Sequence, residues 1–389
     1  MLSGCDIVCF SANRWNDIWR NRHQIMSRMA RRNRVLFVEP SLYLSQLSAN
    51  LKQQGPGVLQ GSRLYSPLEN LWVYQWPEYA PQSGRAPLRQ ATFALRKRSL
   101  QHALQHLGMS NPILWIFLYN LGEMIGHLDE RLVIYHAVDE YSAYSPKHDN
   151  PGRVQVIKRM EAEVMERSDL VFVVSPALYE SKKHLHPHVV LVPNGVDYDL
   201  FSDPRFDDER PADLAGVSHP LLIFAGVINE KIDLQLLLAV ARQRPQWQLA
   251  LVGPVLLRQG TETVVELQKQ VNVHWLGSKR VEELPAYMHA ADVCLMPYQL
   301  NEWTRNISPL KLYEYLATGV PIVSTDIPAV EEFADVVWRG SGPDGFIAAI
   351  AQALAADSPE RRRRQQMLAK DHSWDQRVEA LSAAIEQRL

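Results

Sequence analysis

Short, nearly continuous apolar runs recur along the chain, separated by longer stretches whose apolar positions repeat at helical spacing. In the first half the runs fall at residues 6–10, 35–39, 71–75, 113–118, 132–136, 170–174 and 189–192. Helical periodicity fills residues 21–32, 86–106 and 153–167 between them. A second series follows at 221–225, 248–252, 273–276, 293–297, 320–324 and 336–338, with helices over 234–241, 281–290, 343–355 and 375–388. Strands without an exposed polar face, alternating with helices, predict parallel sheets covered on both faces. The class is α/β, and two such series predict two doubly wound domains. A turn at Pro193-Asn194-Gly195 closes the first series, and the polar stretch 202–219, rich in Pro and Asp, reads as a linker. Ligands of such sheets bind at the carboxyl ends of the strands, and a cleft between the domains is the expected site.

Within this pattern the run NISPLKLYEYLATGVPIVST, residues 306–325, is the most informative. Ser308 fits an N-cap, Pro309 the first helical position and Gly319 a left-handed cap ahead of a buried strand. Lys311 then falls in the first helical turn, where the macrodipole opposes a cation and a capping box would use Glu or Gln. An anion at the helix start removes the conflict, because N–H groups and ammonium then face the same negative charge. Glu314, three residues on, shares a face with Lys311 and can accept hydrogen bonds from sugar hydroxyls. A surface Lys–Glu pair on a capped helix is the plainer alternative.

Composition narrows the classes. A length of 389 residues suits two ordinary domains, and 46% hydrophobic with 22% charged residues is a soluble, globular balance. Cys5, Cys9 and Cys294 lie in apolar runs without metal-ligand spacing, as buried thiols of a reducing cytoplasm do. The chain opens on a strand without a signal-like leader, and no apolar stretch reaches spanning length. Residues 1–100 hold 14 Lys and Arg against 5 Asp and Glu, although the whole chain has a net charge of −2. That basic half is either a solvated face or a surface for anionic lipid; no zinc spacing or RNA-binding signature supports nucleic acid.

Dinucleotide, Walker, GxSxG, HExxH and CxxC motifs are absent, which weakens dehydrogenase, kinase, hydrolase and zinc-enzyme readings. Three segments remain. His136 and Asp139 stand at a strand end, where His136 suits a hydrogen bond to a sugar or to developing charge and Asp139 suits an acceptor hydroxyl. Gly226 ends a strand and allows close approach of a ligand, with Lys231 placed to face a diphosphate. The loop SANRWNDIWRNRHQ offers Asn13, Trp15, Arg20 and Arg22 to an acceptor, through indole stacking and guanidinium clamps. Local capping and plain packing are the alternatives for each.

Taken together, these segments resemble the retaining glycosyltransferases of family 4, with the GT-B fold. LVPNGVDYDLF (191–201) is similar to their interdomain signature, and NVHWLGSKRVEELPAYMHAADVCLMPY to the run before their donor motif. Bacterial cell-surface polysaccharide enzymes of teichuronic-acid type share the PLKLYEYLA-like motif. The resemblance implies two Rossmann-like domains facing across a cleft: an acceptor domain at 1–197, a nucleotide-sugar donor domain at 198–370, and a helix at 371–389 returning to the first. It implies that Glu314 binds the donor ribose and Lys231 faces the diphosphate, while amides near Ser308, Pro309 and Leu310 contact the donor. His136 matches a strand-end histidine near the donor sugar. Two positions depart: Asn306 stands for the first acid of the E-x7-E motif, and Val227 for a diphosphate arginine, a charge that Lys311 is placed to replace.

The activity implied is retaining transfer of a sugar from a nucleotide-diphosphate donor to a glycan or lipid-linked acceptor. It requires no metal, and Asp197-Tyr198-Asp199 reads as structural. The place implied is the cytoplasm or the inner membrane face. A nucleotide-sugar-binding scaffold without turnover and a GT-B-fold isomerase are the alternatives.

Overall fold

The computed structural model describes residues 1–55, 57, 59–143 and 150–389. They divide into two compact units: Met1–Val138, Asn150–Val192 and Val378–Leu389 form the first, and residues 139–143 with Pro193–Arg377 the second. The last helix, Trp374–Glu386, therefore starts in the second unit and from Val378 onward belongs to the first. There Ser382 lies 4.0 Å from the Met29 sulfur, and the terminal ammonium of Met1 pairs with Glu379 at 2.6 Å.

The first unit is an eight-stranded sheet among the described residues. Its strands are β1 (Asp6–Phe10), β2 (Arg34–Val38), β3 (Arg63–Leu68), β4 (Leu71–Gln75), β5 (Ile113–Ile116), β6 (Leu132–Ala137), β7 (Leu170–Val173) and β8 (Val189–Leu191). They lie in the order β3-β4-β2-β1-β5-β6-β7-β8, all parallel except β3 on β4. DIVCF, ILWI and LVFV are buried at every position, as helices on both faces require.

The second unit is a six-stranded parallel sheet in the order β11-β10-β9-β12-β13-β14. It comprises β9 (Leu221–Ala225), β10 (Gln248–Val252), β11 (Val273–Gly277), β12 (Val293–Met296), β13 (Ile322–Ser324) and β14 (Val337–Arg339). Strand order changes direction between β1 and β5 in one sheet and between β9 and β12 in the other, which makes those strand ends the crevice positions.

Three stretches differ from the sequence reading. β3 escapes it because RLYSPL is a half-exposed edge strand with a proline, not an apolar run. The helix Pro359–Asp371 escapes it because only Gln365 and Ala369 of its residues are buried, so it has no apolar stripe; the Ser358 hydroxyl caps it through the Arg361 N–H. The stretch 202–219 is no linker: Leu214 is fully buried, and Asp213 takes hydrogen bonds from Tyr287 at 2.9 Å and Lys279 at 2.7 Å.

The ends of β9 and β10 are set by two glycines. Gly226 has φ 148° and Gly253 φ 136°, and a Cβ on Gly253 would stand 2.0 Å from the Gly226 carbonyl oxygen. Replacing Gly253 by Ala should cost more than ~2 kcal/mol, whereas Gly216→Ala, with open space around it, should stay within about 0.5 kcal/mol. Denaturant unfolding of both variants checks the contrast; equal stability would mean that the strand ends relax.

Candidate functional site

The crevice of the second sheet is bordered by the loop after β9 and by residues 297–309, which lead into the helix Leu310–Thr318. That helix starts one residue later than the sequence suggests, with Pro309 as N-cap at ψ 124° and Leu310 as the first helical residue. Ser308 is engaged elsewhere: its carbonyl accepts from Asn194 Nδ2 at 2.7 Å, and its hydroxyl lies 3.3 Å from the Tyr313 hydroxyl. A proline offers no side-chain acceptor, so no side chain caps the first turn. Gly319 ends the helix in the left-handed conformation, as read from the sequence.

Lys311 is thus the second helical residue. Its ammonium donates to the Tyr298 hydroxyl at 3.2 Å and lies 4.5 Å from the Phe224 ring centroid and 5.3 Å from that of Tyr298. A Cβ on Gly226 would meet this ammonium at 2.8 Å. The space that Gly226 leaves is therefore filled by Lys311, which brings the cation beside position 227.

A second cation stands nearby in sequence terms, after the same strand. Lys231 Nζ is 3.3 Å from Asp139 Oδ2 and 4.5 Å from the Trp303 ring centroid, and Trp303 Nε1 donates to Asp139 Oδ1 at 3.2 Å. Asp139 therefore belongs to the second unit with Lys231, while His136 belongs to the first. Asn306 ends the short helix Glu302–Arg305, and its amide donates to the Glu302 carbonyl at 2.7 Å.

Glu314 is partly buried and receives no hydrogen bond from any described residue. Burial raises its carboxyl from 4.5 to about 7, against the opposing pull of Lys311. Burial also pushes the Tyr298 phenol well up, with smaller pushes from Glu314 and Asp139. Tyr298 thus stands in the field of both acids and bonds one of the two lysines. Tyr298 and Trp303 are the residues the sequence reading missed; the available signal was an aromatic just past an apolar strand, CLMPY. No group of three His, Cys, Asp or Glu among the described residues is arranged to hold a metal.

In the first unit His136 is 1% exposed inside β6, with its ring 4.9 Å from Phe117 and its Nδ1 accepting from Trp115 Nε1 at 3.2 Å. Its Nε2 has no hydrogen-bond partner among the described residues. Burial, then the charge of Arg22, lowers its pKa to about 3, so it is neutral at physiological pH. The ring is therefore a neutral N–H donor, buried inside β6.

The loop after β1 also differs from expectation. Trp15 is 4% exposed, packed edge-on to Phe37 at 5.1 Å, and its backbone N–H donates to Glu39 Oε1 at 2.9 Å. It is an anchor of the loop and not a platform for sugar. Arg22 is buried and bonds Asn13 Oδ1 at 2.6 Å, so these two hold each other, while Arg20 is exposed at the start of the helix Asn21–Met29.

Residues 219–356 match the family described as Glycosyl transferases group 1. A Bacillus subtilis (strain 168) protein, TuaH, whose name gives it as a teichuronic acid biosynthesis glycosyltransferase, is 31% identical over 255 residues. The match covers 62% of this chain and 64% of TuaH, so the chain spans somewhat less than two thirds of that relative's length. Among solved structures, sucrose-phosphate synthase (tll1590) from Thermosynechococcus elongatus superposes with a TM-score of 0.69 at 17% identity, covering 98% of both chains. Anabaena Alr3699/HepE, in complex with UDP and glucose, gives 0.67 at 15% identity over 97% of this chain and 99% of its own. WaaG, a glycosyltransferase of lipopolysaccharide biosynthesis, gives 0.63 at 17%, covering 97% and 98%. The fold is that of the GT-B glycosyltransferases, and the residues that match the glycosyl transferases group 1 family lie within the second unit.

The raised carboxyl of Glu314 has a definite sign in stability. Between pH 4.5 and about 7 the folded chain holds a proton at Glu314 that the unfolded chain has lost. Its contribution to stability is therefore present below 4.5 and disappears as pH rises through 7. The difference in melting temperature between wild type and Glu314→Gln should shift against the wild type across that window and be flat above it. A constant difference would place the titration elsewhere.

Proposed function

We propose that this chain, with its glycosyl transferases group 1 domain at residues 219–356, transfers a sugar from a nucleoside diphosphate donor to a hydroxyl acceptor, with retention, in the synthesis of a cell-surface polysaccharide. The observation that carries the reading is the Lys311 ammonium held against Gly226 at the uncapped start of the helix Leu310–Thr318, with Glu314 one turn on. The name of TuaH and the UDP and glucose bound by HepE support it.

In this reading Glu314 accepts hydrogen bonds from the ribose hydroxyls, and Lys311, Lys231 and the first-turn amides of Leu310 and Lys311 face the diphosphate. The bond between the anomeric carbon and the leaving phosphate oxygen breaks as the acceptor oxygen bonds to the same face of the sugar. The acceptor's proton passes to the leaving phosphate, whose charge the lysines and helix start stabilise without a metal. Asp139 holds Lys231 until phosphate takes its place. Asn306 favours a second reading, binding without turnover, because an amide stands where the resemblance implies an acid.

The basic first unit extends the proposal to a peripheral place on the inner membrane face. On the helix Ala86–His106, Leu88 and Leu95 are 38% and 46% exposed beside exposed Arg89 and Arg98. Pelleting with anionic vesicles should weaken with salt and with Arg89→Ala/Arg98→Ala; salt-insensitive or absent pelleting would exclude that place.

Calorimetry with UDP, GDP, dTDP and CMP sugars tests the donor reading. Lys311→Ala should weaken the preferred nucleoside diphosphate about tenfold or more, near 1.4 kcal/mol, and change nucleoside affinity by much less. Equal losses would make Lys311 structural, and no binding of any nucleotide would defeat the proposal. Binding without transfer to any acceptor would favour the scaffold.

A further inference from the structure

We propose that Asn194 is a positioning residue for the diphosphate end of the donor site, fixing the start of the helix Leu310–Thr318 to the segments by which the chain passes between its units. The inference rests on the transfer reading and adds to it what holds the phosphate-facing turn in place. The chain leaves the first unit at Val192–Pro193 and returns to it for the last time at Arg377–Val378. These two crossings run side by side. The Val196 N–H donates to the His372 carbonyl at 3.0 Å, and the Trp374 N–H to the Val196 carbonyl at 2.9 Å. A Cβ on Gly195 would stand 2.7 Å from the His372 carbonyl oxygen, so glycine is what lets the segments approach.

Five residues of the second unit close a ring of contacts on this crossing. Asn194 Nδ2 donates to the Ser308 carbonyl at 2.7 Å, and the Ser308 hydroxyl lies 3.3 Å from that of Tyr313. The Tyr313 ring stacks on His372 with centroids 5.3 Å apart. Burial, then the charge of Arg377, lowers His372 to about 4, so its neutral Nδ1 accepts from the Arg377 guanidinium. Arg377 Nε in turn donates to the Asn194 carbonyl at 3.2 Å, which completes the ring.

The energetics of Asn194 single it out. It is 7% exposed, and the Ser308 carbonyl, which can only accept, turns the amide nitrogen toward itself. Asn194 Oδ1 is thereby left buried with no hydrogen-bond partner among the described residues. An unpaired buried oxygen costs about as much as one neutral hydrogen bond returns, or more. Net stability therefore does not account for this amide, whereas its grip on Ser308 does. Ser308 stands two residues before the first helical residue and three before Lys311, and no side chain caps that turn. The peptide plane that Asn194 fixes thus orients the first-turn amides and the Lys311 backbone. Held in advance, they meet a diphosphate without a further ordering cost.

Amide hydrogen exchange of the full chain without ligand, and calorimetry with UDP, GDP and dTDP, each beside its nucleoside, test the assignment. Asn194→Ala should speed exchange at Leu312 and Tyr313 tenfold or more and leave Ala317, later in the same helix, unchanged. The nucleoside diphosphate that binds the wild type should weaken fivefold or more, and its nucleoside less than twofold, which also shows that the variant is folded. Tyr313→Phe opens the ring at a second link and should act in the same direction; if Asn194→Ala does not fold, the same outcomes are read on it. Unchanged exchange at the helix start would overturn the anchoring. Faster exchange with equal losses of diphosphate and nucleoside, or with neither, would overturn the link to the diphosphate. A wild type that binds no nucleoside diphosphate would defeat the transfer reading and the diphosphate role with it, whereas binding without these variant effects defeats this inference alone.

Discussion

The geometry of the second unit depends on one close approach, that of the Lys311 ammonium to the backbone at Gly226. It is possible because Gly226 has no side chain and because Gly253 lets β10 end against the Gly226 carbonyl. A lysine in the first turn works against the helix dipole by about 0.3–1 kcal/mol. Contact with the faces of Phe224 and Tyr298 returns about 0.5–2 kcal/mol as cation–π attraction. These terms are of similar size, so the rings offset the cost of placing the cation in the first turn. A phosphate arriving there would meet an ammonium already in place and a helix start that no side chain caps.

The two lysines of the site are held in different ways. Lys231 has a carboxylate partner in Asp139 and an indole beneath it, so anion binding there is an exchange of partners. Lys311 donates to a phenol and lies over two rings. Glu314 couples to this arrangement through its proton. With a carboxyl raised to about 7, it is partly protonated near neutral pH, and sugar hydroxyls that donate to it favour the ionised form. Ionising Glu314 in turn strengthens the field that holds Lys311. In the proposed site, recognition of ribose and of diphosphate would therefore be linked through two side chains on one helical face.

The fold was legible wherever a strand is buried on both faces, since DIVCF, LLIFA and QLALV announce themselves as apolar runs. It was not legible at β3 and the helix Pro359–Asp371, whose positions are fixed by neighbours and not by an apolar pattern of their own. The site was legible in its charged residues and illegible in what holds them. Tyr298 meets Lys311, which lies by Gly226, only because β12 pairs with β9 and skips β10 and β11 in the sheet. Likewise Trp15 looked like a sugar platform until Glu39, 24 residues away, fixed its backbone. Spacing along the chain does not contain strand order, so contacts made across it stay hidden.

The same logic separates the two departures from the family pattern. At position 227 a guanidinium is lost, but Lys311 brings an ammonium to the adjoining backbone, so the phosphate end of the proposed site keeps two cations. At position 306 a carboxylate is lost, and the Asn306 amide donates to the Glu302 carbonyl, shaping the turn into the helix Leu310–Thr318. The first change is compensated in charge and position, while the second exchanges an acceptor of two hydrogen bonds for an amide. In the proposed site the cost therefore falls on recognition of the donor's sugar and not on its diphosphate. In the proposed site, a hydroxyl that would have donated to an acid must be absent, differently placed, or met by the amide oxygen, so a change of sugar choice would trace to position 306.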